Sequence, residues 1–243
     1  MVSRRTAARQ FLLRPGRFFE EREPGETLPW ATGAVCLSLV TSLVAVYLVG
    51  QFIAGAVEGP IMVDNPAYPG DAFCDMPPEQ PGQIETGCAE PRQVERSPES
   101  LVNEAIAPFY VFVFIGVLLL WGLGTGLFYG LARIAGGSPS GSGTAVVAGW
   151  LAVPETLRAI VGVVAIRHAL ADVTITDIEA ETDVVLDALH SVSSVLLVVS
   201  VLVILWQWYI ATNGMAAEAD ISKGEAAAVT GLPLLLVVPL GLP

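Results

Sequence analysis

Five apolar runs, at about 31–57, 107–135, 144–170, 189–211 and 226–242, alternate with polar stretches along the chain. A helix needs roughly 17–25 apolar residues to cross the hydrocarbon of a bilayer. The pattern therefore predicts an all-α integral membrane protein, a five-helix transmembrane bundle. The fifth run is the shortest, and Gly231, Pro233 and Pro239 interrupt it. It is expected to cross, with a re-entrant path as the alternative. Two parts follow: an interfacial lead over 1–29, and a five-span membrane domain over 30–243 with an outer loop at 58–104.

Composition agrees with the pattern. Hydrophobic residues make up 53% of the chain and charged residues 15%, and the mean hydropathy is +0.62. Soluble domains seldom have this balance. The net charge of −12 excludes binding to nucleic acid through a basic surface. No signal peptide is evident, because the first apolar run follows an arginine-rich lead and is too long for a cleaved segment.

Charge sets the orientation. Arg4, Arg5, Arg9, Arg14, Arg17 and Arg22 precede the first run, and Arg133 and Lys223 fall in connectors on the same side. Only Arg92, Arg96 and Arg167 fall on the other. Loops rich in Lys and Arg stay in the cytoplasm, so the N-terminus is expected inside and, after five crossings, the C-terminus outside. The acids gather outside. Glu58, Asp64, Asp71, Asp75, Glu79, Glu85, Glu90, Glu95, Glu99 and Glu104 fill the first outer loop, and Asp172, Asp177, Glu179, Glu181, Asp183 and Asp187 the second. Such a surface suits concentrated salt.

The third run carries Pro154, Glu155 and Arg158 near its middle. A charge at mid-depth costs about 2.5–3.5 kcal/mol on insertion scales, so these groups should face protein or water. Two geometries are open. Pro154 kinks one continuous helix, or it sits in the first turn of a new one, where its missing N–H is harmless. In both, Glu155 and Arg158 are three apart and form an intramembrane ion pair. A pair that fixes helix register is favoured over a polar path for an ion.

Other residues define candidate contacts. Gly122, Gly126 and Gly130 lie four apart on one helix face, a spacing that lets another backbone approach closely. That helix could belong to this chain, a second copy or another membrane protein. Cys74 and Cys88 share the outer loop, where an oxidising exterior favours a disulfide. No histidine stands near them, which argues against metal. His168 and His190 are too few for a metal site. The connector 136–143 is rich in Gly and Ser, but no lysine follows it, which excludes a phosphate loop. No cofactor is expected. Trp206, Trp208 and Tyr209 suit an interfacial belt, and Gln207 beside them can bond across helices. In the lead, Phe11, Leu12, Leu13, Phe18 and Phe19 stand among arginines, as in a segment lying at headgroup depth.

Taken together, these residues resemble a known family. Arg14, Pro15, Gly16, Arg17, Phe18 and Phe19 look like the Pro-x-x-Phe-Phe element that opens prokaryotic membrane proteins of the Yip (Ypt/Rab-interacting protein) family. The Gly-rich connector leading into Ala148, Gly149, Trp150 and Pro154 is similar to its central signature, and the expected five-span topology resembles that family's. The acidic outer loops look like versions from halophilic archaea. The resemblance implies an integral membrane protein with Pro15, Phe18 and Phe19 as an interfacial motif. It carries over neither a catalytic residue nor GTPase binding, since the eukaryotic members' N-terminal cytosolic motif is missing.

Three function classes compete. A non-enzymatic scaffold or membrane-organising protein of the cell membrane is preferred. A small transporter or channel component using Glu155 and Arg158 is the alternative, but no internal repeat supports it. An intramembrane hydrolase ranks last, because the spans hold serines but no histidine or aspartate at matching depth.

Overall fold

A computed structural model describes residues 4–74, 87–176 and 182–241. Asp75, Glu79, Glu85, Asp177, Glu179 and Glu181 of the outer loops lie outside the described residues, as do the side chains of Arg4 and Arg5. The chain is mostly helical. In order it forms α1 (Arg4–Leu13), α2 (Pro15–Glu20), α3 (Pro24–Ala56), β1 (Ile61–Asp64), α4 (Asp71–Cys74), β2 (Gln93–Arg96), α5 (Pro98–Ile134), α6 (Gly141–Trp150), α7 (Ala152–Ala169), α8 (Thr182–Ala219) and α9 (Lys223–Gly241).

Four stretches are long and apolar enough to cross a membrane: Glu26–Ala56, Pro98–Ile134, Gly141–Ala169 and Asp183–Ala219. The third joins α6 and α7. The 19-residue α9 is not among them, so four of the five crossings that the apolar runs suggested have helices of spanning length and composition among the described residues. α9 folds back against α8 and α5. Trp208 Nε1 donates to the Ala227 carbonyl at 3.0 Å, and the Thr212 and Thr230 hydroxyls meet at 3.1 Å.

Local chemistry explains the helix boundaries. Pro24 begins α3 after an extended Glu23, so 24–29 belong to the first long helix and not to the lead. Proline is tolerated at that first position because its N–H would have no helical partner. Ser97 caps α5, accepting from the Ser100 N–H at 3.3 Å, and Pro98 follows it. This start takes Glu99, Asn103 and Glu104 out of the loop and onto a helix. Ser140 caps α6, accepting from the Gly143 N–H at 3.0 Å. At the start of α9, Ser222 Oγ accepts from the Glu225 N–H at 3.3 Å, and Glu225 Oε2 accepts from the Ser222 N–H at 2.9 Å. This reciprocal pair is a capping box.

Packing puts α6–α7 between α3 and α8, while α3 also lies along α5. The main core gathers at one end. Phe128 and Ala132 of α5, Val147 and Ala148 of α6, Ala211, Met215 and Ala219 of α8, and Ala226 and Val229 of α9 are all buried there. Elsewhere the long helices turn large apolar side chains outward; Phe112 is 73% and Val164 63% exposed. A water-soluble fold would leave no such continuous surface bare, whereas lipid covers it without penalty.

The lead, the 135–140 connector and the 220–222 turn share one end, where the Ser138 N–H donates to the Ala219 carbonyl at 2.9 Å. The acidic loops share the other. There the fold departs from all-α: β1 and β2 pair antiparallel, with Ile61 opposite Arg96 and Asp64 opposite Gln93. Arg92 bonds Asp71 at 2.8 Å, and the Tyr68 hydroxyl donates to the same carboxylate at 2.5 Å. That bond holds the Tyr68 phenol above its ordinary pKa of 10.0, with slight desolvation adding to it. Ile175 bridges the end of α3, its N–H donating to the Ala56 carbonyl at 2.7 Å, so the second outer loop is tied to the first.

The Ser222 hydroxyl and backbone hold the Glu225 carboxyl below its ordinary value of 4.5. A depressed folded pKa contributes stability above the unfolded value and loses it as pH falls through the folded one. Acidification through that range should therefore fray the first turn of α9, read as faster amide exchange at residues 223–227. Ser222→Ala should show the same fraying already at neutral pH.

Candidate functional site

The most polar place inside the bundle is the joint between α6 and α7. Leu151 closes α6 and opens α7 in a helical conformation (φ −66°, ψ −15°). Pro154 then occupies the first turn of α7 and is fully buried. Of the two geometries open to the sequence, the structure adopts the second. At that position the missing N–H is one that a helix start leaves without an intrahelical partner.

Glu155 and Gln207 form the polar contact at this joint. Gln207, buried on α8, donates through Nε2 to the Leu151 carbonyl at 3.1 Å and to Glu155 Oε1 at 3.0 Å. Arg158 Nε donates to Glu155 Oε2 at 2.8 Å. Both carboxylate oxygens are thus engaged, one within α7 and one across to α8. The Arg158 and Glu155 side chains are 35% and 34% exposed, so this pair lies at the bundle margin and not in a sealed core. It therefore serves as a helix fastener more readily than as a conduit.

The lead docks beside the joint. Phe11 and Phe18 are each 4% exposed, Pro15 is fully buried, and they pack with Ile210, Trp150, Leu151 and Val153. The Trp150 ring meets Phe11 at 4.6 Å and Phe18 at 5.2 Å between centroids. The interfacial motif Pro15–Phe18 is therefore turned into protein, while Phe19 reaches the main core. Trp150 Nε1 is buried with no hydrogen-bond partner among the described residues.

The glycine seam is not used inside the chain. A Cβ placed at Gly122, Gly126 or Gly130 would meet nothing within 4 Å. Close helix approach occurs instead at Gly149 and Gly214, where an added Cβ would come within 3.1 Å of the Ala31 Cβ and 2.9 Å of the Val147 side chain. Spacing singled out a periodic set, whereas single contact glycines have no pattern to stand out. Cys74 and Cys88 are joined as a disulfide with Cα atoms 5.6 Å apart.

Sequence reasoning missed Glu218. Its Oε1 accepts from the Ser140 N–H at 2.9 Å and from the Ser140 hydroxyl at 2.6 Å, which places a negative charge at the positive end of α6. A Cβ at Gly143 would overlap that carboxylate. Ser140 was readable as a cap, but its acid partner lies 78 residues away.

Among known families, residues 9–242 match the family model of the Yip1 domain. No curated protein and no solved structure matches the chain.

Gln207→Leu should lower stability by about 1–2 kcal/mol, since it removes two hydrogen bonds at the joint and leaves a Glu155 carboxylate oxygen without its partner on α8. The thermal midpoint in detergent measures this. Gly214→Val should destabilise by about 1–3 kcal/mol through overpacking, while Gly126→Val should leave the isolated chain's midpoint unchanged.

Proposed function

The chain belongs to the Yip1-domain family, and from that premise we propose that this membrane protein is a non-enzymatic scaffold or membrane-organising component of the cell membrane. The observation that carries this reading is the bonding of Glu155. Its two oxygens are committed to Arg158 and Gln207, so the charge within the bundle holds helices together. Transport through the same pair would need that carboxylate released during each cycle.

In this reading the N-terminus is cytoplasmic, α9 completes a fifth crossing and the C-terminus is outside. The distribution of arginine and lysine supports that orientation. The partners are the lipid bilayer and a second copy of the chain or another membrane protein, which meets α5 along Gly122, Gly126 and Gly130. The open space at these glycines supports a partner from outside the chain. The acidic outer loops fit a halophilic cell, whose salt would screen their mutual repulsion.

Glu155→Gln combined with Arg158→Met tests the central claim. Scaffold function expects a lower thermal midpoint and poorer assembly. A wild-type midpoint with lost ion flux in liposomes would replace it with the transport reading. Gly126→Cys should cross-link two chains in native membranes, and monomer-only products would remove the second copy as partner. Tags at the two ends should be accessible from opposite sides; labelling of both from one side would refute the fifth crossing.

A further inference from the structure

We infer that α1 and α2 form a binding site for the phosphodiester of an anionic lipid headgroup. The inference rests on the membrane reading above and assigns a ligand class to the lead. Docking divides the lead's side chains into two sets. Phe11, Pro15 and Phe18 are buried against Trp150 and Ile210. Leu12 and Leu13 are left 47% and 63% exposed, beside Arg9, Arg14 and Arg17, which are exposed as well.

The polar residues of the lead are likewise divided. Arg22 is committed: Nη1 donates to the Phe18 carbonyl at 2.9 Å, Nη2 donates to Gln10 Oε1 at 2.8 Å, and the guanidinium lies over the Phe18 ring. Gln10 in turn donates to Glu21 Oε2 at 2.9 Å. These bonds tie the end of α2 back onto α1. Glu20, Glu21 and Glu23 stand at that end, yet none pairs with Arg9, Arg14 or Arg17 among the described residues. A surface pocket of about 240 Å³ opens along α1, its walls almost wholly apolar, lined by Arg9, Gln10, Leu13 and Arg14.

The apolar walls suit an acyl segment, and the exposed guanidinium groups of Arg9 and Arg14 suit a phosphate beside it, because the planar fork of Arg bonds its oxygens in pairs. The exposed leucines select the source. They suit acyl chains at the edge of the hydrocarbon and gain nothing from a free anion in water. The lead also sits at the end of the bundle that carries Arg133 and Lys223, where anionic headgroups concentrate in a cytoplasmic leaflet. The overall charge of −12 opposes a long polyanion such as nucleic acid, so the positive charge available is local.

Native mass spectrometry of the full chain in an uncharged detergent tests this, with phosphatidylglycerol, phosphatidylcholine and inorganic phosphate as probes. The wild type should retain phosphatidylglycerol in preference to phosphatidylcholine, and excess inorganic phosphate should not displace it. Arg9→Gln with Arg14→Gln should weaken that retention by about 30-fold, while Arg133→Gln, at the same end of the bundle, should leave it intact. Equal retention of the two lipids, equal loss in both variants, or displacement by inorganic phosphate would each overturn the inference. The assay is blind to topology. Tags found on one side would therefore refute the proposed orientation without altering the lipid preference.

Discussion

A carboxylate inside an apolar run cannot be left facing lipid, and protein groups enclose the one at the joint between α6 and α7. Gln207 reaches from α8 to the Leu151 carbonyl and to Glu155, and Arg158 holds the other carboxylate oxygen. This contact joins α7 to α8. With α6 ending at Trp150, the indole ring stands where Phe11 and Phe18 pack against it, so the lead docks beside the same joint.

The interior is built from small residues and the exterior from large ones. Gly149 and Gly214 allow close approach, and Ala132, Ala148, Ala211 and Ala219 fill the core beside them. Apolar side chains gain little by leaving lipid for protein, so close backbone packing and internal hydrogen bonds must supply association. The Trp121 indole donating to the Ala145 carbonyl at 3.0 Å is one such bond, joining α5 to α6. Glu218 on the α6 N-terminus is another, placed in the connector region where water can also reach it.

The acidic loop between α3 and α5 follows different rules because it lies beyond the apolar helices. A long acidic segment repels itself and tends to remain extended. Here a short antiparallel ladder, the Cys74–Cys88 bridge and the Arg92–Asp71 pair gather it into local structure. An exposed ion pair contributes little alone. The disulfide restricts the unfolded loop and so contributes more, about 3 kcal/mol for a loop of this size.

Hydropathy by itself determined the class of the protein, the positions of four spanning helices, the proximity of Glu155 to Arg158 and the placement of Cys74 and Cys88 in one loop. These depend on local composition or on residues a few positions apart. Tertiary structure decided the rest. It chose the first-turn geometry of Pro154 and brought Gln207, 52 residues from Glu155, to the joint. It also turned Phe18 into protein, left Gly122, Gly126 and Gly130 open and seated Glu218 on α6. Each of these depends on which helices become neighbours. Apolar runs that are equally content in lipid carry almost no information about that choice.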